Sequence, residues 1–172
     1  SAIFDLFEGL ASQGKTIAMV THDPSLTART TRNIVIFDGE LINEAIARAL
    51  PTLRHRHLLE MTRKAQWRTV APGEVILERE GEPNHLYIIA RGSVQVQDGN
   101  EPVSSLGAGE FFGADGLLEP HPVEARYQAG SGPVDLLLYP RGEFKDILSE
   151  SPITLEALQK IIEARRLGSV RS

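Results

Sequence analysis

With 172 residues, 41% of them hydrophobic and 24% charged, the chain has room for one domain of ordinary size and a fragment beside it, since compact domains cluster near roughly 100–150 residues. It has no cysteine and a formal net charge of −5, which excludes disulfide staples, thiol catalysis and thiolate zinc sites. The same balance argues against wholesale phosphate binding, which takes a concentrated Lys and Arg surface. No apolar run is long enough for a membrane span and no charged-then-apolar leader follows Ser1, so a soluble chain without direct membrane insertion is expected.

From Ala2 to Leu10 the residues Ile3, Phe4, Leu6, Phe7 and Leu10 recur at helical spacing, and Gly14 stands where that helix would end. The short apolar run Thr16-Ile-Ala-Met-Val20 reads as a strand covered on both faces of a parallel sheet. Thr21-His22-Asp23-Pro24-Ser25 follows at its carboxyl end, where open α/β sheets place ligand chemistry, and a second helix is expected from about Pro24. Asn33 to Phe37 and Glu40 to Ile42 flank Asp38-Gly39, which predicts a hairpin with a type I′ turn.

On these motifs the stretch from Ser1 to Ile42 resembles the C-terminal end of an ABC-transporter nucleotide-binding domain: helix, strand, the "VTHD" loop and a terminal hairpin around "FDGEL". The resemblance implies that His22 is the switch histidine, which in that family contacts the γ-phosphate of ATP and helps position the attacking water. The sequence holds neither a Gly-x-x-x-x-Gly-Lys-Ser/Thr phosphate loop nor the acidic strand end that carries magnesium, and phosphoryl transfer needs both. The chain alone is therefore expected not to be an enzyme. His22 would be the catalytic residue of an incomplete site, with ATP and magnesium belonging to the parent ATPase.

Residues 43–68 carry Ala45, Ile46, Ala49, Leu50, Leu53, Leu58, Leu59, Met61 and Ala65 at helical spacing, interrupted by Pro51, where a helix bends or restarts. The cations Arg54, Arg56, Arg63, Lys64 and Arg68 read as the wet side of that helical stretch. His55 and His57 fall on different faces of a helix, with His85 and His121 scattered, so no metal site is expected.

From Val70 short β-like runs follow at regular spacing: Val75 to Leu77, Leu86 to Ile89, Ser93 to Gln97, Val103 to Leu106, Ala125 to Gln128 and Val134 to Tyr139. Such spacing predicts a barrel or jelly roll. A final amphipathic helix over Pro152 to Arg166 has Ile153, Leu155, Leu158, Ile161 and Ile162 for core packing, a lid or a dimer surface. The fold class is thus α+β: an antiparallel, jelly-roll-like β-roll flanked by helices and preceded by a partial α/β segment.

The stretches "APGEVILEREGEPNHLYIIARGSVQV", "LGAGEFFGADGLL" and "LLLYPRGEFKDIL" resemble the cyclic-nucleotide-binding domain family over about Leu50 to Arg166. Gly73, Gly81, Gly92, Gly107, Gly109 and Gly113 stand where that roll needs turns or close backbone approach. In the family a short helix inside the roll cradles the cyclic phosphate, a Glu after Phe-Gly takes the ribose hydroxyl, and an Arg after Pro pairs with the phosphate. This chain reads Phe112-Gly113-Ala114 and Pro122-Val123-Glu124-Ala125. Ala114 and Val123 hold the two gripping positions, and Glu124 sets an acid beside the phosphate. Two charge-assisted hydrogen bonds of roughly 1.5–3 kcal/mol each are forgone, which weakens binding by about a hundredfold to ten-thousandfold. Arg126 is no substitute, because its register to Val123 is odd on a strand.

The resemblance therefore implies a degenerate pocket of Phe112, Gly113, Ala114 and Val123, no cofactor in this chain, and cyclic nucleotide bound weakly or not at all. Residues 1–42 would be an ATPase remnant, 43–68 a helical linker and 69–172 the roll with its C-terminal helix. Together they imply a regulatory or docking domain of an ABC-transporter ATP-binding protein, cytoplasmic and peripheral to the inner membrane. Its partners would be the rest of the ATPase and its membrane subunits. A homodimer is compatible with the sequence, and nucleic acid is not expected, as no helix-turn-helix follows the last helix. A functional cyclic-nucleotide sensor and a structural dimerisation module are the alternatives.

Overall fold

A computed structural model describes residues 2–21, 23, 29–99, 101–118 and 122–169, in two compact units, Ser1–Asn33 and Ile34–Ser172. In the first, the apolar spacing produces helix α1 (Ala2–Ser12). Its end is closed by Lys15 N–H donating to the Leu10 carbonyl at 3.2 Å and Gly14 N–H donating to that of Ala11 at 2.9 Å. Gly14 takes a φ of +82°, the left-handed conformation this capping motif requires. Phe4 is buried; the Arg29 guanidinium lies 4.5 Å from its ring centroid and pairs with Asp5 and Glu8 at 2.8 Å each.

The strand expected over Thr16 to Val20 is not formed. These residues lie outside any strand and are exposed, Val20 completely. An apolar run becomes a strand only when neighbouring edges supply its hydrogen bonds, and the described residues of this unit contain no strand to do so. His22 and the helix expected from Pro24 lie outside the described residues.

The second unit opens with the hairpin β1 (Ile36–Phe37) and β2 (Glu40–Leu41). Asp38 and Gly39 have φ of 52° and 73°, the two positive values of the expected type I′ turn. The hairpin packs within this unit: the Phe37 and His55 rings lie 5.8 Å apart, Glu40 pairs with Arg63, and Ile42 joins the core. Two short helices follow, α2 (Glu44–Ala49) and α3 (His55–Lys64), separated at Pro51. Asn43 caps α2, its side chain accepting from the N–H groups of Ala45 and Ile46. The helical stretch ends at Lys64, short of the expected Arg68, because Gln66–Val70 forms strand β3.

The roll consists of two antiparallel four-stranded sheets. One orders β3, β10 (Val134–Pro140), β5 (His85–Arg91) and β8 (Phe111–Phe112). The other orders β4 (Val75–Leu77), β9 (Arg126–Ala129), β6 (Val94–Asp98) and β7 (Glu101–Leu106). Between β8 and β9 lies the short helix α4 (Ala114–Leu118), and after β10 come α5 (Arg141–Ser149) and α6 (Pro152–Ser169).

Side chains alternate across a strand, and here both faces of the central strands are covered. Tyr87 and Ile89 of β5, with Leu136 and Leu138 of β10, enter the roll interior. Leu86, Ile88, Leu137 and Tyr139 face a second core with Ile46, Leu50, Met61, Phe144 and Leu158 from the helices. The final helix thus packs on the core through Leu158, with Leu155 and Ile162 partly buried, and leaves Ile153 exposed.

Candidate functional site

The chain leaves β8 at Phe112 and turns into α4 through Gly113, whose φ is +81°. A Cβ there would stand 3.0 Å from the His85 carbonyl oxygen and 3.0 Å from Tyr87 Cδ2, so the turn admits only glycine without displacing the central strand. Beyond α4 the chain re-enters the roll at Val123. Val123 N–H donates to the Gly81 carbonyl at 3.1 Å, and its own carbonyl accepts from Glu80 N–H at 2.8 Å. Glu80 is held at a φ of +64°, a left-handed conformation costly for a residue with a Cβ.

The four residues expected at the pocket are all buried. Ala114 is 2% exposed and belongs to the helix-side core; Val123 is 1% exposed and shares the roll interior with Phe112. At the position where the family resemblance places a phosphate-pairing Arg, the side chain is an apolar filler. Arg126 turns the other way, as strand alternation predicts: Tyr127 and Ala129 are buried while Arg126 and Gln128 are not. Arg126 lies 3.3 Å from Glu78 instead.

Two groups at this site escaped the sequence reading. The first is a stack of three nearly parallel rings: Tyr87 on Phe112 at 4.8 Å and 5°, and Phe112 on Tyr127 at 4.5 Å and 11°. Its only signal in the sequence is the inward register of Tyr127 on β9. Burial, with Asp115 and Glu124 acting in the same direction and Arg165 against them, pushes the Tyr127 phenol up to about 12. The second is Arg165 of α6, which donates to the Phe111 carbonyl at 2.6 Å, lies 4.9 Å from the Phe111 ring centroid and 3.7 Å from Glu110. This cation is therefore engaged with the strand before the turn. Chemically the site is an apolar, aromatic interior, with the carboxylates of Asp115 and Glu124 acting on the Tyr127 phenol.

Four of the five cations of the basic cluster are paired within the fold. Arg56 pairs with Glu150 at 2.7 Å, Arg63 with Glu40, Lys64 with Glu60 and Glu143 at 3.0 and 2.9 Å, and Arg68 with Glu74 at 3.0 Å. The two carboxylates hold the Lys64 ammonium well above its usual range. His57 is buried, its ring nitrogens 3.3 Å from Ser151 Oγ and 3.3 Å from Glu150 Oε2. Among the described residues no group of three or more His, Asp or Glu is placed to hold a metal ion. Two surface clefts, of about 110 Å³ between α3 and α5 and about 400 Å³ beside Phe37 and Leu53, are not bordered by Ala114 or Val123.

Residues 67–151 match the family model described as the cyclic nucleotide-binding domain. The chain is 33% identical over 111 residues, 64% of its length and 31% of the relative's, to a cyclic nucleotide-gated potassium channel of Rhizobium etli. It is 48% identical over 40 residues, 23% of its length and 18% of the relative's, to an uncharacterized ABC transporter ATP-binding protein of Bacillus subtilis. The chain thus spans less than a third of the length of the curated relatives it matches. Among solved structures, cAMP-bound PfPKA-R is similar with a TM-score of 0.67 at 17% identity, covering 73% of this chain and 44% of that one, a likeness of fold. The matched span coincides with the two-sheet roll and its turn at Gly113, so this chain carries a domain of the cyclic nucleotide-binding family.

Proposed function

We propose that the chain is a regulatory domain of an ABC-transporter ATP-binding protein, a cyclic-nucleotide fold retained as a docking and signalling module after losing its ligand grips. The observation that carries this reading is Val123, 1% exposed inside the roll, at the position where the family resemblance places the phosphate-pairing Arg. The ATPase connection is supported by the "VTHD" motif with His22 and by the 40-residue similarity to an ABC ATP-binding protein. A path for coupling exists between the linker helices and the α5–α6 junction: Thr52 Oγ1 donates to Thr154 Oγ1 at 3.1 Å, Arg56 pairs with Glu150, and His57 meets Ser151. A displacement of α6 would reach the helices that lead towards the ATPase.

In this reading the partners are the remaining ATPase domain, where ATP and magnesium bind, and its membrane subunits, with the module on the cytoplasmic side. No helix among the described residues is long and apolar enough to cross a membrane. The second reading, a working cyclic-nucleotide sensor, is favoured by the intact Gly113 turn and by relatives named as cyclic nucleotide-gated channels. Titration calorimetry with cyclic AMP and cyclic GMP separates the two. The proposed function expects dissociation constants weaker than about 1 mM, whereas binding tighter than about 10 μM overturns it in favour of the sensor.

A further inference from the structure

Strand β9 turns Tyr127 inward, opposite Val96 of β6 and Leu77 of β4. Its ring lies flat on one face of Phe112, and Tyr87 lies flat on the other. Phe112 is the residue that opens the turn into α4, and Tyr87 is the side chain against which Gly113 is pressed. Val123, where the chain returns, belongs to the same buried cluster as all three rings. The stack therefore fills the roll interior between the two ends of the α4 segment.

We propose that Tyr127 is an internal plug, the residue that determines what this pocket refuses, because its ring takes the space and the aromatic face that a flat ligand would need. The inference rests on the degenerate-site reading given above and adds a mechanism that missing grips alone do not supply. A heteroaromatic ligand entering the roll gains affinity by stacking, and both faces of Phe112 are already taken. A side chain that is 9% exposed in an interior of crystal-like packing density has no void to move into when a ligand competes for its space. Charge acts in the same direction: Asp115 and Glu124 are the acids acting on the phenol, so an anionic phosphate would meet carboxylates there. The space released by removing Tyr127 suits a neutral flat ligand, as apolar cavities left by truncating large buried side chains accept small flat molecules.

The test compares Tyr127→Val, which keeps a β-branched residue on the strand, with Tyr127→Phe, which keeps the ring. Calorimetry with adenosine as a neutral probe should show saturable binding by Tyr127→Val, at least about tenfold tighter than by the unmutated chain or by Tyr127→Phe. In the Ala114→Glu, Val123→Arg background, adding Tyr127→Val should tighten cyclic AMP binding at least about tenfold, with circular dichroism verifying the fold. If the charged background does not fold, the adenosine comparison decides. The plug is overturned if Tyr127→Val gains nothing, or if Tyr127→Phe gains as much. Tight cyclic AMP binding by the unmutated chain overturns the degenerate-site reading itself. An unmutated chain that binds nothing, beside a silent Tyr127→Val, overturns the plug and leaves that reading standing.

Discussion

Phe112→Ala removes the middle ring of the stack and measures how much of the roll depends on it. Phe112 is 1% exposed, and truncating a buried Phe to Ala costs about 3–5 kcal/mol in lost transfer energy plus the cavity left behind. Two stacked ring pairs, with Tyr87 and Tyr127, add roughly 0.5–1.5 kcal/mol each beyond area burial. Against this, the flanking rings can close part of the gap, so a net loss of about 4 kcal/mol is expected. The backbone at this position pairs with Tyr87 and is untouched by the substitution. Urea denaturation should show a lower midpoint at unchanged slope, and a thermal melt should fall by about 10–15 °C for a unit of this size. A double-mutant cycle with Tyr127→Leu should return a coupling of about 1 kcal/mol. A loss below about 2 kcal/mol, or no coupling to Tyr127, would refute the view that the stack is a packed structural element.

Gly113→Ala should cost about 1–3 kcal/mol, because a left-handed φ and a Cβ 3.0 Å from the His85 carbonyl oxygen both oppose it. Gly142→Ala, inside α5 with open space around it, should gain about 0.5–1 kcal/mol; paired melts giving the opposite order would sink both assignments. Burial raises the phenols of Tyr127 and Tyr139 to about 12, so the folded state holds these protons more tightly than the unfolded chain. Their contribution is therefore complete below about pH 10 and is lost as pH climbs from about 10 through 12. Unfolding followed across that window should be less steeply pH-dependent in Tyr127→Phe than in the parent, and identical slopes would contradict the assignment. Hydrogen exchange should be fast over Thr16 to Val20, exposed and outside any strand, and slowest over Leu86 to Ile89. Slow amides in the first segment would mean that a partner strand covers it.

Much of the roll is legible from local pattern. The runs Leu86 to Ile89 and Leu136 to Tyr139 are continuously apolar because β5 and β10 are covered on both faces, and Asp38-Gly39 announces its turn because few residues other than glycine tolerate positive φ. Ala114 and Val123 stand where the family resemblance places the gripping Glu and Arg, and both are buried. What the sequence by itself determined was therefore the order of elements, the faces of the strands and the absence of two charged groups.

The rest depended on which segments meet. Strand β3 reads Gln-Trp-Arg-Thr-Val, exposed at four of its five positions, and is a strand only because β10 offers it an edge. β8 is two residues long, too short to show any period. Thr16 to Val20 has the composition of a strand and no edge to pair with among the described residues of its unit. The stack of Tyr87, Phe112 and Tyr127 is assembled by two registers, Tyr87 opposite Phe112 and Val96 opposite Tyr127, and Arg165 reaches Phe111 from the last helix. Periodicity is a property of neighbours along the chain, whereas pairing, stacking and capping join residues tens of positions apart, and only the tertiary structure decides which of them share a hydrogen bond or a face.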